Sequence, residues 1–271
     1  MSVAHDGVYL PTGEENLFES TPLASAGWYE EGQHGGALAA LVVGQVESIP
    51  TLTPMQIARV TVEIFRVTPL VPLTVHPTVI REGKRIQTVK VEVTDPDGTL
   101  LSLGIVQRLR AIDRELPHEA ATEVTELPGP WDSRRTDPRN WGIGDADKTL
   151  FHRDAIEIRE IHGGFESIGP GAVWVRPTIP IIAGIENSPA QRAVIAGDFC
   201  NGVSRKLSLD KWVFMNSDLT VHIGRYPTGE WVGLDARSSY SSDGRGVASG
   251  SLWDTEQWIG QSAQTLYLDK K

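Results

Sequence analysis

The segment Val60–Arg66, VTVEIFR, returns as LTVHIGR at Leu219–Arg225, with four of seven positions identical at an offset of 159. Further along, Ile259–Leu268 repeats the last strand of the first half and sets Gln264 against Gln107 at an offset of 157. Ser188–Val203, with Ala193, Val194, Ile195, Ala196 and Phe199, takes the place that Gly35–Glu47 holds earlier, and Asp243-Gly244-Arg245 echoes Glu82-Gly83-Lys84. Each match is short, but their common order and near-constant offset imply a duplication. So long a period cannot build a solenoid. It fits two copies of a helix-plus-antiparallel-sheet unit packed side by side.

Local pattern supplies the parts of that unit. Gly35–Glu47, GGALAALVVGQVE, is apolar around nearly its whole circumference, the mark of a buried helix. Its two leading glycines leave backbone N–H groups open to a close neighbour. Val60, Val62 and Ile64 alternate with Thr61, Glu63 and Phe65, and Val89, Val91 and Val93 alternate with polar residues, so both stretches read as half-buried strands. Asp95-Pro96-Asp97-Gly98 is a turn. After it, Leu101, Leu103, Ile105, Gln107 and Leu109 share one strand face. Between about Ala111 and Lys148 the period disappears among Pro117, Pro128, Pro130 and Pro138. Trp131 and Trp141 favour burial, so this stretch reads as an ordered crossover. The expected organisation is therefore a first unit over 1–112, a crossover over 113–150 and a second unit over 151–271.

Composition removes whole classes of function. With 271 residues, 40% apolar and 22% charged, the chain has a soluble, foldable make-up. No apolar run approaches the roughly 18–20 residues that span a bilayer, so no membrane partner is expected. Met1–Phe18 has neither a basic nor an apolar leader region, and a cytoplasmic location follows as the default. The single cysteine, Cys200, excludes an internal disulfide framework, and a lone cysteine in an apolar helix reads as structural. The seven histidines show no ligand spacing, so no metal is expected. A net charge of −10 argues against nucleic acid, and it obliges any phosphorylated ligand to find its own local cations. There is no Gly-x-Ser-x-Gly elbow, no His-Glu-x-x-His and no phosphate loop.

Three polar positions stand out against this apolar pattern. Gln264 shares its strand phase with Gly260, Ser262, Leu266 and Leu268. An unpartnered buried amide costs about 1–3 kcal/mol, so Gln264 is either a satisfied core residue or a group aimed into a cavity. Gln107 poses the same question. Asp198, in Ala196-Gly197-Asp198-Phe199, is a poor interior helix residue. It reads as a kink or cap beside Gly197, or as a general base in a dry cleft. Asn216, Asp218, Thr220 and His222 share one strand phase, facing either solvent or a cleft between the halves.

Taken together, these segments resemble the double hot-dog acyl-CoA thioesterases, the type II acyl-CoA thioesterase family. The likeness is carried by Trp28, by Gly32-Gln33-His34-Gly35-Gly36-Ala37-Leu38-Ala39-Ala40 and by Arg81-Glu82-Gly83-Lys84 in the first half. In the second half it is carried by Gly197-Asp198-Phe199, Asn216-Ser217-Asp218-Leu219-Thr220-Val221, Asp235-Ala236-Arg237 and Ala263-Gln264-Thr265. The resemblance implies an α+β tandem hot-dog: two antiparallel sheets, each wrapping a central buried helix, joined edge to edge. It also implies hydrolysis of acyl-CoA by an aspartate-activated water, with one site per chain and a homo-oligomer of such chains. Coenzyme A is then part of the substrate and no separate cofactor is required.

Carried over by motif, the catalytic set falls on Asp198, Asn216 and Gln264. The family's better-known members carry threonine or serine where Asn216 stands, and Thr220 is the fallback on the same phase. The oxyanion would sit at the start of the first helix, at His34, Gly35 and Gly36. Arg81, Lys84 and Arg85 are candidates for the CoA phosphates, or simply a solvated hairpin rim. Two rival readings use the same fold. One is a non-catalytic acyl-CoA or lipid binder. The other is an enoyl-CoA hydratase-type lyase, whose Gly-Asp-x-Asn-like motif Gly197-Asp198-Phe199-Cys200-Asn201 matches with one residue too many.

Overall fold

The structure is a computed structural model, and it describes residues 5–28, 32–120, 124–145 and 147–271. Residues 1–4 of the stretch read for a leader lie outside the described residues. The first half contains β1 (Tyr9–Pro11), β2 (Leu17–Ser20), α1 (Gly35–Glu47), β3 (Met55–Ile64), β4 (Leu73–Arg81), β5 (Ile86–Thr94) and β6 (Leu100–Arg110). The crossover adds the short β7 (Arg134–Arg135). The remainder holds β8 (Ile156–His162), β9 (Gly171–Pro177), α2 (Pro189–Asp198), α3 (Cys200–Ser204), β10 (Trp212–Asn216), β11 (Asp218–Ile223), β12 (Val232–Tyr240), β13 (Arg245–Trp253) and β14 (Trp258–Lys270). Among the described residues no helix is long and apolar enough to cross a membrane.

All the strands join one 14-stranded sheet in the order β1-β2-β4-β5-β6-β3-β11-β14-β13-β12-β9-β8-β7, with β10 also on β14. The two halves meet where β3 pairs antiparallel with β11. In that ladder Thr61 stands opposite Thr220, and the two hydroxyls are 3.2 Å apart. Thr61 and Thr220 are also equivalent in the sequence repeat, so a local two-fold axis passes between them. The strand phases read from sequence hold here. Val60, Val62, Leu219, Val221 and Ile223 are buried against the helices, as are Val89, Val91 and Val93.

The registers refine the repeat. Thr61 faces Ile105 and Thr220 faces Ala263, so β6 and β14 are related by 263 − 105 = 158 positions. Gln264 therefore corresponds to Val106, and Gln107 to the exposed Thr265. The expected pairing of Gln107 with Gln264 was one residue out, and in a strand one residue exchanges the faces. Gly104, not Leu103 or Ile105, faces α1, where an added Cβ would meet Val42 at 2.8 Å.

Both halves carry a break at the same place. The β3–β6 register shifts between Ile57 and Arg59. In the second half Asn216 pairs with Leu266 while Thr220 pairs with Ala263, again one residue out of step. The break falls at Ser217, where Ser217 N–H donates to Thr265 O (3.0 Å) and Thr265 N–H donates to Asp218 Oδ1 (2.8 Å). Such a bulge rotates the following side chains to the opposite face. Asn216 thus points with Leu266 toward the helices, whereas Thr220 points away. The single shared face expected for Asn216, Asp218, Thr220 and His222 does not exist.

The helices form the core. In α1, nine residues from Gly36 to Val46 are buried, which accounts for a helix with no polar face. α2 begins with a capping box, Ser188 with Gln191, and Pro189 at its first turn. The helices run antiparallel against each other, with Gln191 Nε2 donating to Ala40 O (3.0 Å) at one end and Asp198 reaching Gly36 at the other. Gly197 permits α2 to lie on the sheet, since a Cβ there would meet Val221 at 2.9 Å and Ser262 at 3.0 Å.

The crossover is ordered by its tryptophans in two different ways. Trp141 is buried, with Nε1–H donating to Thr136 Oγ1 (3.1 Å). Trp131, expected inside, is 69% exposed. The Arg159 guanidinium lies 4.2 Å above its ring and Trp231 meets its edge, so a cation–π stack holds it at the surface.

Leu41 is fully buried in α1 and Phe65 is exposed. Leu41→Ala should destabilise the fold by about 2–5 kcal/mol, and Phe65→Ala should stay within about 0.5 kcal/mol of wild type. Urea unfolding followed by tryptophan fluorescence measures both.

Candidate active site

Asp198 is the last residue of α2, and the chain turns at Phe199 before α3. Its side chain is 5% exposed and meets the start of α1. Gly36 N–H donates to Asp198 Oδ2 at 2.5 Å. His34, the residue just before α1, places Nδ1 3.0 Å from the same oxygen. Gly36 N is also 3.1 Å from His34 Nδ1. A lone pair on Nδ1 facing a carboxylate oxygen would be repelled, so Nδ1 carries the proton and donates to Oδ2. The Gly36 N–H then belongs to the carboxylate.

The other carboxylate oxygen faces the sheet. Gln264 Nε2 donates to Asp198 Oδ1 (2.9 Å) and to Asp198 O (3.0 Å), while Gln264 Oε1 accepts from Asn201 N–H (3.2 Å). These bonds fix which way the amide points, and they satisfy a side chain that is only 2% exposed. Asn216 Nδ2 stands 3.4 Å from Oδ1, a long bond delivered by the bulge at Ser217. Four donors therefore converge on one carboxylate, and it is the ionised form that can accept from all of them. At α1 the Ala37 and Leu38 N–H groups turn to His34 O, so among the described residues Gly35 N–H is the remaining donor at this helix end.

The residues singled out by sequence divide cleanly. Asp198, Asn216, Gln264, His34, Gly35 and Gly36 come together. An added Cβ on Gly35 would lie 3.1 Å from the Asp198 oxygens, so glycine is what allows this approach. Thr220 is on the opposite face against Thr61. Arg81, Lys84 and Arg85 form the β4–β5 hairpin, tied by Gln87 Nε2 to Pro50 O and by Thr53 Oγ1 to Lys84 O, beyond the C-terminus of α1. α1 has 13 residues, so that hairpin is about 20 Å from Asp198. Cys200 is fully buried, and burial pushes its thiol up to about 12.

Sequence reasoning missed an aromatic wall beside His34. The His34 ring lies 5.0 Å from Phe151, 5.1 Å from Phe199 and 6.2 Å from His152. Trp141 stacks on Phe165 at 3.8 Å and on His152 at 5.5 Å. Phe151 and His152 open a single π-helical turn, Phe151–Ala155, a local form often met at functional sites. Nothing periodic marks Phe151 and His152 in the sequence, because they lie in one short turn between the crossover and β8. His152 is 2% exposed with Nε2 unpartnered, and burial first, then His34 and Arg153, push it down to about 3.

Comparison with known proteins defines the class. Residues 24–112 match the family model described as the acyl-CoA thioesterase N-terminal domain, and residues 121–268 match the acyl-CoA thioesterase C-terminal domain. The chain belongs to the acyl-CoA thioesterase family. No curated protein matches it in sequence. Among solved structures it is similar to a candidate thioesterase II from Thermobifida fusca YX, at 17% identity and a TM-score of 0.72, covering 97% of this chain and 96% of that one. A conserved protein of unknown function with the hot-dog fold from Alicyclobacillus acidocaldarius gives 17% identity and 0.71, covering 98% and 99%. The acyl-CoA thioesterase II TesB2 from Mycobacterium marinum gives 14% and 0.63, covering 95% and 93%. At such identities these likenesses show a shared fold, that of hot-dog thioesterases.

Two expectations follow from the buried titratable groups. With its thiol raised to about 12, Cys200 stays protonated across the neutral and mildly basic range. Labelling by a thiol reagent should therefore be negligible in the folded protein and complete after unfolding. His152 is held neutral below the ordinary 6.5, so the unfolded chain binds one more proton than the folded one between 6.5 and about 3. Its contribution to stability is fully present above 6.5 and is lost as pH falls through that window. His152→Phe should flatten the acid side of a plot of urea midpoint against pH.

Proposed function

We propose that the chain hydrolyses acyl-CoA to a free carboxylic acid and coenzyme A, in a tandem hot-dog built of the two halves about the Thr61–Thr220 axis. The observation that carries this reading is the convergence of His34, Gly36, Asn216 and Gln264 on the buried carboxylate of Asp198. In the proposed reaction a water held by Asn216 attacks the thioester carbonyl carbon, and Asp198 takes a proton from it. Gln264 acts as a positioning residue, because its amide spans the Asp198 side chain and backbone. The carbonyl oxygen gains negative charge at the positive end of α1, where Gly35 N–H is the candidate donor. The tetrahedral intermediate then collapses, the C–S bond breaks, and the proton held by Asp198 passes to the departing thiolate. No covalent nucleophile is needed, in keeping with the buried, protonated Cys200.

The first half has no such set. Ala37, Ala40 and Gly44 match Ala190, Ala193 and Gly197 at an offset of 153, which makes Gln45 the counterpart of Asp198. Ile57 and Val106 are the counterparts of Asn216 and Gln264 by register. One site per chain follows. We also propose that the protein is cytoplasmic and a homo-oligomer, the latter checked by light scattering after size exclusion.

Thiol release from a panel of short, long and aromatic acyl-CoAs tests the reading. Asp198→Asn should lower kcat by about 100- to 10,000-fold. Asn216→Ala and Gln264→Ala should each lower it by a smaller factor. Thr220→Val should leave it unchanged, being on the other face of the sheet. Binding of acyl-CoA with no thiol release by the wild type would instead establish a binder, and hydration of an enoyl-CoA would establish a lyase.

A further inference from the structure

The π-helical turn that carries the aromatic wall has a second side. Phe151 and His152 face His34, but the next residue, Arg153, lines an open cleft of about 430 Å³ together with Arg135, Asp137, Arg139, Glu157 and Thr178. That volume is within the roughly 300–1,000 Å³ typical of small-molecule sites. We propose that this cleft binds the phosphorylated nucleotide end of the coenzyme A thioester, with Arg135, Arg139 and Arg153 on its phosphate oxygens. The proposal rests on the thioester-hydrolase reading and names where the carrier end of that substrate is held.

Charge is the first argument. A chain with net charge −10 repels a phosphorylated ligand at long range, so it must hold one with a local cluster. The acids in the cleft do not cancel its arginines. The Glu157 carboxylate is already held by Arg159 (3.0 Å) and Arg176 (2.6 Å), and it reaches Arg135 only at 4.0 Å. Asp137 engages Arg139 loosely, at 3.4 Å, with both side chains exposed, so this pair is readily exchanged for a phosphate.

Preorganisation is the second argument. The Arg153 side chain is 6% exposed. Its Nε donates to Asp154 Oδ2 (3.3 Å) and its Nη1 to Asp145 O (3.2 Å), and neither bond uses Nη2. A buried, fixed guanidinium with a nitrogen to spare, flanked by two exposed ones, suits a phosphate better than a flexible lysine rim does. Position is the third. Arg153 adjoins His152, whose ring is 6.2 Å from that of His34, the neighbour of Asp198. The hairpin cations Arg81, Lys84 and Arg85 are at the opposite end of α1.

The test has two arms. Calorimetry with adenosine 3′,5′-bisphosphate reads the cleft without any turnover. Arg135→Glu combined with Arg139→Glu, both at exposed positions, should weaken that binding by about tenfold or more, the factor equal to 1.4 kcal/mol. Arg153→Met should do the same. In the kinetic arm the same acyl group is offered on coenzyme A and on N-acetylcysteamine, which lacks the nucleotide. The ratio of kcat/KM between these two thioesters should fall about tenfold in the double variant. Bisphosphate binding that is absent, or that is untouched by the exposed double variant, would overturn the cleft, as would an unchanged ratio. Arginine-dependent bisphosphate binding in a protein that cleaves neither thioester would sustain the cleft and overturn the hydrolase reading.

Discussion

The contact between the end of one buried helix and the start of the other governs the rest of the molecule. Asp198 closes α2, where its charge is opposed by the negative end of that helix's own dipole. A carboxylate in such a place, at 5% exposure, is tenable only with outside donors. α1 supplies them, because it runs antiparallel to α2 and offers Gly36 N–H at its positive end. The two helices thus need each other at this end. Gly35 and Gly36 are small enough to allow the approach, and an added side chain on either would meet the Asp198 oxygens. His34 and Gln264 then complete a cage that binds the helix pair to the sheet.

The same helix pair ends quietly on the other side. There α2 starts with a self-sufficient capping box, so its N–H groups need nothing from α1, and Gln191 bonds back to Ala40 O. The duplication supplies two equivalent frames, down to a strand bulge at corresponding positions in β3 and at Ser217. The first frame lacks the carboxylate and the two amides around it: Gln45 stands at the place of Asp198, and Ile57 and Val106 occupy the places of Asn216 and Gln264. A two-fold scaffold thus holds a single asymmetric set of donors. Buried polar groups occur at the other end too, where Arg108 Nε donates to Gln87 Oε1 (2.7 Å) and Arg108 Nη2 to Ile49 O (3.0 Å), but there they satisfy one another and the end of α1.

Much of the fold was legible because it is periodic. The buried helix α1, the faces of β3, β5 and β11, and the inward Gln264 of β14 all follow from spacing alone. The errors arise where tertiary contacts, not local pattern, set the position. The sequence set Gln264 against Gln107 at an offset of 157, whereas the registers relate β6 to β14 by 158, and that single residue sent Gln107 to the wrong face. Trp131 was placed inside because indole rings favour burial, yet the Arg159 guanidinium covers it at the surface. Phe151 and His152 sit in a short aperiodic turn just after the crossover, where their neighbours are set by tertiary contacts.

Asn216 is the instructive failure. By alternation it shares a face with Thr220 and His222, and on that face it could not reach Asp198. The bulge at Ser217 moves it across the sheet, held there by the bonds from Ser217 N–H to Thr265 O and from Thr265 N–H to Asp218 Oδ1. Only then does its amide come to 3.4 Å from the carboxylate. Alternation assumes an unbroken ladder, and the ladder breaks next to the Asp198 cluster. Irregular pairing is tolerated where a side chain must be re-aimed. An amide also differs from the hydroxyl it replaces: it can donate to a carboxylate and hold a water, but it cannot pass a proton along. In the proposed reaction the proton is therefore taken by Asp198 and not by Asn216, so the contacts that hold that one side chain shape both the fold and the proposed chemistry.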